Sequence, residues 1–315
     1  MKLYMQKAAK DLIGNVGFDM QMNSIASGPE DDVITALEDL FDGVWGDALD
    51  PTFMFNPLKR GIREKAKRAG ALMRKIGHTA VRNRLGKMRR GEETSTDLLA
   101  HSISIKENNT WYTEEEIVDD FVTFFVAGQE TTTNVLSFTL AHLARHPDIA
   151  RRVGEEVEAA LEGRDYVGEE ALSRLPYLEC VIKESLRLHP PGSIIRRMTP
   201  RDTLLDGFLV PADTIVLTIP YLQARMEENW EEPLIFNPDR FLDPSTIKKY
   251  SYLPFLVGPR RCIGTNFAMI EMKIILSRVI SRFSMRGREG EGIVPGFKMT
   301  LYPEQGAHLH LQPKY

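Results

Sequence analysis

Cys262 stands in a frame of residues suited to binding a metal through sulfur. The surrounding sequence is Phe255-Leu-Val-Gly-Pro-Arg-Arg-Cys262-Ile-Gly264, with glycines four residues before and two after the cysteine. Glycine lets the backbone turn tightly and approach a sulfur closely. A helical pattern begins directly behind Cys262, and a helix N-terminus stabilises a thiolate. The frame therefore predicts a metal ligand or a nucleophile at Cys262, whereas Cys180 fits a buried position in an apolar helix.

A second group of polar residues interrupts a long apolar helix, in the run Phe124-Phe-Val-Ala-Gly-Gln-Glu-Thr-Thr132. Gly128 costs a helix interior about 1 kcal/mol relative to alanine, and this loss needs an explanation. Ala127 and Thr131 share a face, so the Thr131 hydroxyl can bond the Ala127 carbonyl and bend the helix where the glycine leaves space for a ligand and a water. The alternative is a tight helix crossing at Gly128, with a threonine whose hydrogen bond is satisfied.

A third group consists of charges that need partners. Glu184 and Arg187 are three residues apart on one predicted helix face and can form an ion pair. Such a pair is common and contributes under about 1 kcal/mol at a surface. The nearby run Phe236-Asn-Pro-Asp-Arg240-Phe241 adds a second arginine, in a turn of proline and aromatic residues that must be packed.

The elements that position these residues are mainly helices. Thr113-Glu-Glu-Glu116 is a capping box, and the pattern after it contains no proline until Pro147, so we predict one long central helix over 113–146. Further helices are predicted over 147–163, 175–188 and 264–282, and short strands over 214–218, 298–301 and 308–311. More than half of the 18 prolines lie between 190 and 259, which favours coil and turns there. The predicted class is mainly α with minor β.

Residues 59–90 form a basic amphipathic pattern. This stretch contains thirteen lysines and arginines and one acid, Glu64, with apolar residues at helical spacing. The preceding loop carries Phe53, Met54, Phe55 and Leu58 between prolines. A lipid interface would cover these side chains, which predicts a membrane surface contact through residues 50–90. The alternative is a solvated helix face beside a loop that folds onto its own core.

Composition excludes several classes of protein. The 315 residues include 40 Lys and Arg against 44 Asp and Glu, a net charge of −4, which argues against a nucleic-acid partner. Two cysteines cannot form a disulfide scaffold. No run of 18 apolar residues occurs, and no GxSxG, HExxH or P-loop motif is present. His142 and His146 have a metal-compatible spacing, but histidines near a helix C-terminus also suit the helix dipole.

The three motifs, in this order, resemble the cytochromes P-450, a family of haem-thiolate monooxygenases. The Cys262 frame carries the most specific part of the resemblance. Within that family, the runs Phe121–Phe138, Leu178–Pro191 and Pro233–Phe241 are most similar to the cholesterol 24-hydroxylase branch. The resemblance implies a single domain over residues 1–315 that corresponds to the C-terminal two-thirds of the family fold.

The resemblance also implies roles for individual residues. The cofactor would be haem b, with the Cys262 thiolate as the axial ligand of the iron. The haem-binding residues would be Phe255, Arg260, Arg197 and Gly264, of which the arginines face the propionates. Thr131 and Glu130 would deliver protons for oxygen activation. Glu184, Arg187 and Arg240 would hold the cysteine loop. Ala127, Ile194 and Ile195 would line the substrate pocket.

The implied reaction is hydroxylation of a lipophilic substrate such as a sterol, with O2 and electrons from an NADPH-cytochrome reductase. The full-length protein would lie at the cytoplasmic face of the endoplasmic reticulum membrane. Gly192 and two isoleucines follow the paired prolines, where the 24-hydroxylase branch is expected to carry bulkier aromatic residues.

Family members normally begin with a membrane anchor, a β-rich portion and a helix that carries tryptophan and arginine. No segment of this sequence matches them, which predicts an N-terminally incomplete copy. One alternative is therefore a truncated, non-catalytic product that does not retain haem. A haem-thiolate isomerase is a further alternative, but that chemistry has no need of the Glu130-Thr131 pair.

Overall fold

A computed structural model of the chain describes residues 1–28, 30–92, 94–109 and 111–314. Helices contain 55% and strands 10% of the residues, which confirms the predicted mainly α class with minor β. The chain forms two compact units, Met1–Asn134 and Val135–Tyr315, and the boundary lies within one long helix. Over the described ranges we find no helix with both the length and the hydropathy that a bilayer crossing requires.

The first unit is helical. Its helices are α1 Lys2–Phe18, α2 Asp32–Leu49, α3 Arg60–Arg89, α4 Leu98–Asn108 and the first part of α5 Glu114–Leu143. The predicted basic helix forms as α3. It buries one stripe, consisting of Ala69, Met73, Gly77, Ala80, Val81 and Arg84, and leaves most of its lysines and arginines exposed.

Small residues let the helices of this unit approach closely. A Cβ added to Gly77 of α3 would lie 2.8 Å from the Phe121 ring of α5, too close for any larger residue. Phe121 in turn meets Phe18 of α1 edge-on, with ring centroids 4.5 Å apart. These contacts place the core of the unit between α1, α3 and α5.

The long central helix α5 begins where the sequence predicts. The Thr113 backbone N–H donates to Glu116 Oε2 at 2.5 Å, and the Glu116 N–H donates to Thr113 Oγ1 at 3.4 Å, which is the reciprocal pattern of a capping box. The predicted end at residue 146 is wrong, because α5 ends at Leu143. Proline disfavours helical dihedrals in the residue before it, and His146 has φ −123° and ψ 80°.

The second unit combines helices with short strands. Its helices are the rest of α5, α6 Pro147–Leu161, α7 Glu169–Leu172, α8 Pro176–Leu188, α9 Pro220–Gln223 and α10 Thr265–Arg282. Its strands are β1 Ile195–Met198, β2 Thr203–Leu205, β3 Phe208–Val210, β4 Ile215–Thr218, β5 Phe283–Gly287, β6 Pro295–Phe297, β7 Leu301–Pro303 and β8 Leu309–Pro313. They pair as four antiparallel two-stranded sheets, β1 with β4, β2 with β3, β5 with β8 and β6 with β7.

A carboxylate of α6 caps the start of α8. Glu156 Oε1 accepts the Tyr177 N–H at 2.7 Å, and its Oε2 accepts the Leu178 N–H at 2.8 Å. Pro176 occupies the first turn of α8 and has no N–H to satisfy. Arg152 of α6 lies over the Tyr177 ring, 3.6 Å from its centroid. Helix α6 therefore fixes the position at which α8 begins.

We expect Glu156→Ala to lower the free energy of unfolding by about 1–3 kcal/mol, because two backbone N–H groups lose their acceptor. Denaturant unfolding measures the loss. The matched control is Glu155→Ala, which removes an exposed carboxylate paired with Arg151 at i,i+4 and should cost under about 0.5 kcal/mol. Equal losses in the two variants would contradict the capping role.

Candidate functional site

The cysteine loop is closed by its own backbone. The Cys262 N–H donates to the Phe255 carbonyl at 2.8 Å. Between them the chain reverses through two left-handed residues, Leu256 with φ 59° and Gly258 with φ 80°. Glycine adopts this conformation without strain, whereas Leu256 adopts it at a cost that the rest of the loop must offset. Helix α10 begins at Thr265, three residues after Cys262, with Gly264 as its N-cap.

The loop leaves the Cys262 side chain exposed and places it at the positive end of α10. The Thr265 hydroxyl donates to the Cys262 carbonyl at 2.9 Å and fixes the chain between loop and helix. Cys180, by contrast, is buried in α8, and its burial raises the pKa of the thiol. The structure therefore confirms the predicted burial of Cys180, and the role of Cys262 as a metal ligand or nucleophile stays a prediction.

Apolar and basic side chains are exposed in the sequence beside Cys262. Val257 and Ile263 are 55% and 82% exposed, although both are apolar. Arg260, two residues before the cysteine, is exposed, and Phe255 is half-buried. A Cβ added to Gly264 would lie 3.8 Å from Cys262 Sγ, an ordinary contact, so the space beside the sulfur alone does not demand glycine.

The other predicted ligand-binding residues of this unit lie at or beside β1. Arg197 is exposed on that strand, and its Nη1 donates to the Arg196 carbonyl at 2.9 Å. Ile194 is 45% exposed just before β1, and Ile195, its first residue, is half-buried. The second unit thus carries an exposed thiol at Cys262, exposed guanidinium groups at Arg197 and Arg260, and apolar side chains at Ile194 and Ile195.

Arg187 is fully buried, and all five of its N–H donors have acceptors. Two of them reach the carboxylate of Glu184, with Nε 2.7 Å from Oε2 and Nη2 2.9 Å from Oε1. The other three reach backbone carbonyls outside α8, those of Ala224 at 2.6 Å, Pro233 at 2.9 Å and Ile235 at 3.3 Å. The guanidinium also lies 5.0 Å from the centroid of the Trp230 ring. We call this arrangement the Arg187 network.

Glu184 extends the network. Its Oε1 accepts the Asn237 N–H at 2.8 Å, and Arg240 Nε lies 3.5 Å from the same oxygen, an ion pair without a hydrogen bond. Arg240 Nη2 donates to the Glu232 carbonyl at 2.8 Å. The structure therefore brings Glu184, Arg187 and Arg240 together, and it ties α8 to the irregular segment 224–240.

Sequence reasoning missed the carbonyl acceptors of the network and Trp230. Backbone carbonyls have no side-chain pattern, so no motif indicates which of them will meet a buried arginine. The signal that existed was indirect. A proline-rich segment that contains Trp230 and Phe236 must bury its aromatic rings against other residues. Its prolines cannot donate sheet hydrogen bonds, so its carbonyls are left to accept from other groups.

In the first unit, the helix motif has two faces with different environments. Residues 129–143 are all buried except Thr131, which is half-buried, and Ala127, one turn before it, is exposed. Thr131 Oγ1 donates to the Ala127 carbonyl at 2.7 Å. Glu130 points to the inside, only 7% exposed, and its Oε1 accepts from Asn134 Nδ2 at 3.1 Å.

The expected space at Gly128 does not exist. A Cβ added there would lie 3.2 Å from two carbons of Ile13 in α1, so the glycine permits a tight helix crossing. Helix α5 also continues without interruption through residues 127–131. The accessible positions of this motif are Ala127, one residue before Gly128, and Thr131, three residues after it.

Comparisons with known proteins show the family of the chain. The sequence model of the family described as Cytochrome P450 matches residues 1–310. Cytochrome P450 4ae1 of Drosophila melanogaster is 31% identical, over 98% of this chain and 64% of that protein. Cytochrome P450 3A2 of Rattus norvegicus is 31% identical over 91% and 59%, and Cytochrome P450 3A29 of Sus scrofa is 38% identical over 55% and 35%.

The chain spans less than two thirds of the length of each of these relatives. The match to the family sequence model nevertheless covers nearly all residues of this chain, including the cysteine loop, the Arg187 network, Ala127 and Thr131. The chain therefore belongs to the cytochrome P450 family.

Proposed function

We propose that this chain carries the haem-thiolate site of a monooxygenase that hydroxylates a lipophilic substrate with O2 and electrons from an NADPH-cytochrome reductase. The observation that carries the proposal is the exposed Cys262 side chain, held at the N-terminus of α10 by a loop that its own backbone closes. Family membership supports the reaction class. The match of one family model to residues 1–310 also supports a single domain over 1–315.

We propose that Cys262 holds the iron of haem b as a thiolate, because the positive end of α10 favours the anion. Arg260 and Arg197 would donate charge-assisted hydrogen bonds to the propionates, and Phe255 and Gly264 would border the ring. When bound, the haem supplies oxygen activation, which a thiolate ligand favours.

The role we propose for Thr131 is to hold a proton donor at the open face of α5. Its hydroxyl hydrogen is bonded to the Ala127 carbonyl, so its oxygen is left to accept a hydrogen bond from water. Glu130, buried one residue earlier, would supply protons to this position. Thr131 already lies on the open face, whereas Glu130 would have to leave Asn134 on the buried side of α5 to reach this position.

For the substrate we propose a lipophilic molecule. Support comes from the apolar, solvent-accessible surfaces of Ala127 in the first unit and of Ile194 and Ile195 in the second. A sterol, as in the cholesterol 24-hydroxylase branch, is supported only by the three sequence runs that resemble that branch. The relatives reported above are 4ae1 and 3A enzymes, and their names specify no sterol.

We also propose that residues 50–90 contact a membrane surface, in the full-length protein that of the endoplasmic reticulum on its cytoplasmic side. Met54, Phe55 and Leu58 are 60%, 88% and 90% exposed, directly before the basic helix α3, whereas Phe53 is buried. Exposed apolar side chains next to a basic helix suit an anionic lipid interface.

The first test concerns the sulfur. We expect the chain supplied with haem to give the reduced carbon-monoxide absorption band of a thiolate-bound haem, and Cys262→Ser to abolish it. Cys180→Ser is the matched control and should retain the band, because that thiol is buried in α8. A band that survives Cys262→Ser would refute the ligand assignment. Failure of the wild-type chain to retain haem would favour the alternative of a non-catalytic product.

The second test concerns proton delivery. In protein reconstituted with reductase and substrate, we expect Thr131→Ala to lower product formed per NADPH by about tenfold or more and to raise peroxide, because a positioned proton donor is lost. Thr131→Ser should restore coupling. Thr123→Ala is the matched control, since Thr123 makes the same bond to a carbonyl four residues earlier, that of Asp119. Unchanged coupling in Thr131→Ala would remove this residue from the proton path.

The third test concerns the Arg187 network, which we propose holds the cysteine loop. We expect Glu184→Gln to lower the free energy of unfolding by about 3–5 kcal/mol, because it leaves a buried guanidinium without its counter-ion. Glu179→Gln on the same helix is the matched control. That carboxylate is 34% exposed in its pairs with Lys183 and Lys273, so its loss should cost under about 1 kcal/mol. Denaturant unfolding measures both losses. A similar loss in Glu184→Gln and Glu179→Gln would contradict a stabilising role of the Arg187 network.

A further inference from the structure

Two buried histidines meet where α5 and α8 end. His142 and His189 are 7% and 6% exposed, and their Nε2 atoms lie 3.0 Å apart. A hydrogen bond at this distance needs one N–H and one bare nitrogen. The accepting ring must therefore be neutral, with its hydrogen on Nδ1, while the donating ring carries a hydrogen on Nε2.

Each ring is packed face to face against a phenylalanine. His142 stacks on Phe236 with centroids 4.0 Å apart and planes 5° from parallel, and His189 stacks on Phe138 at 4.1 Å and 7°. Within the described part of the chain, the Nδ1 atom of neither ring has a hydrogen-bond partner. The site thus offers no acceptor for the extra N–H that a protonated imidazole would carry.

The charged groups around the pair are predominantly basic. His142 faces His189, His146, Arg145 and Arg187, and His189 faces Arg225 and Arg187. The carboxylate on α8 nearest in sequence to Arg187, that of Glu184, is already engaged by Arg187, Arg240 and the Asn237 N–H. Burial, reinforced by these neighbouring charges, holds the pKa of His142 well below its usual value and lowers the pKa of His189 to about 3.

The pair is linked to the Arg187 network through Phe236. This ring lies under His142, while its two sequence neighbours bind the network, the Ile235 carbonyl accepting from Arg187 and the Asn237 N–H donating to Glu184. A change in the His142 ring therefore acts directly on the segment that Arg187 and Glu184 hold.

We propose that the His142–His189 pair is an acid-sensitive clamp, which holds residues 235–237 on the Arg187 network while both rings are neutral and releases them when either ring is protonated. This inference concerns the folded chain itself and does not depend on haem or on the proposed reaction.

The sign of the pH effect follows from the two states. In the unfolded chain both histidines bind protons below about pH 6.5, whereas in the folded chain they resist protonation until a much lower pH. The clamp's contribution to stability is therefore complete above about pH 6.5 and is lost as the pH falls from there towards the folded-state pKa values. Below about pH 6, each histidine should raise the unfolding equilibrium constant about tenfold for every unit by which the pH falls.

The test is denaturant unfolding of the full chain between about pH 7.5 and about pH 4.5, a range that spans the usual histidine pKa. Glutamine keeps a neutral donor and acceptor near the Nε2 position and does not titrate. For each unit by which the pH falls below about 6, we expect the unfolding equilibrium constant of His189→Gln to rise about tenfold less than that of the wild type. For the double variant with His142→Gln, we expect it to rise about a hundredfold less. His101→Gln, at an exposed position on α4, is the control and should leave the wild-type dependence unchanged. Parallel curves for the wild type and the double variant would overturn the proposal.

A second measurement decides the question if a glutamine variant does not fold. In the wild-type chain labelled with ¹⁵N at its histidines, we expect the rings of His142 and His189 to remain neutral at about pH 5, one as each tautomer. Protonation of either ring at that pH, in a folded chain, would overturn the proposal.

Discussion

The burial of one positive charge, that of Arg187, organises much of the second unit. A guanidinium removed from water needs an acceptor for each of its N–H groups and a counter-ion for its charge. Glu184 supplies the counter-ion from the preceding turn of α8, and three backbone carbonyls supply the other acceptors. Those carbonyls belong to a segment without a sheet ladder of its own, so a side chain fixes the path of this backbone.

The same buried charge explains why the neighbouring histidines must be neutral. A second positive charge close to Arg187 would be desolvated and would compete for Glu184, which already pairs with Arg187 and Arg240. Two neutral rings that share one hydrogen bond solve this problem, and their stacking on Phe138 and Phe236 gives them packing in place of hydration. Stability of this region and its response to acid therefore have a common cause.

The groups suited to chemistry lie elsewhere, at the ends or open faces of regular elements. Cys262 lies two residues before the N-cap of α10, Arg197 lies on a short strand, and Thr131 occupies the only position in residues 129–143 that is not buried. Rigid elements hold such groups in a fixed orientation, so little reorganisation is needed when a ligand binds. The side chains for which we propose chemistry are thus held by regular elements and stay at least partly accessible.

Local patterns in the sequence determined a large part of this structure. The capping box at Thr113, the prolines at 147 and 176, the spacing of Glu184 and Arg187 and the frame around Cys262 each act over a few residues, so the start of α5, the helices that follow and the contrast between the two cysteines were predictable. Only the tertiary structure decided that Ile13 fills the space beside Gly128, which carbonyls Arg187 binds, and that His142 meets His189. These contacts join residues far apart in the chain, and burial and packing, which depend on the whole fold, select them.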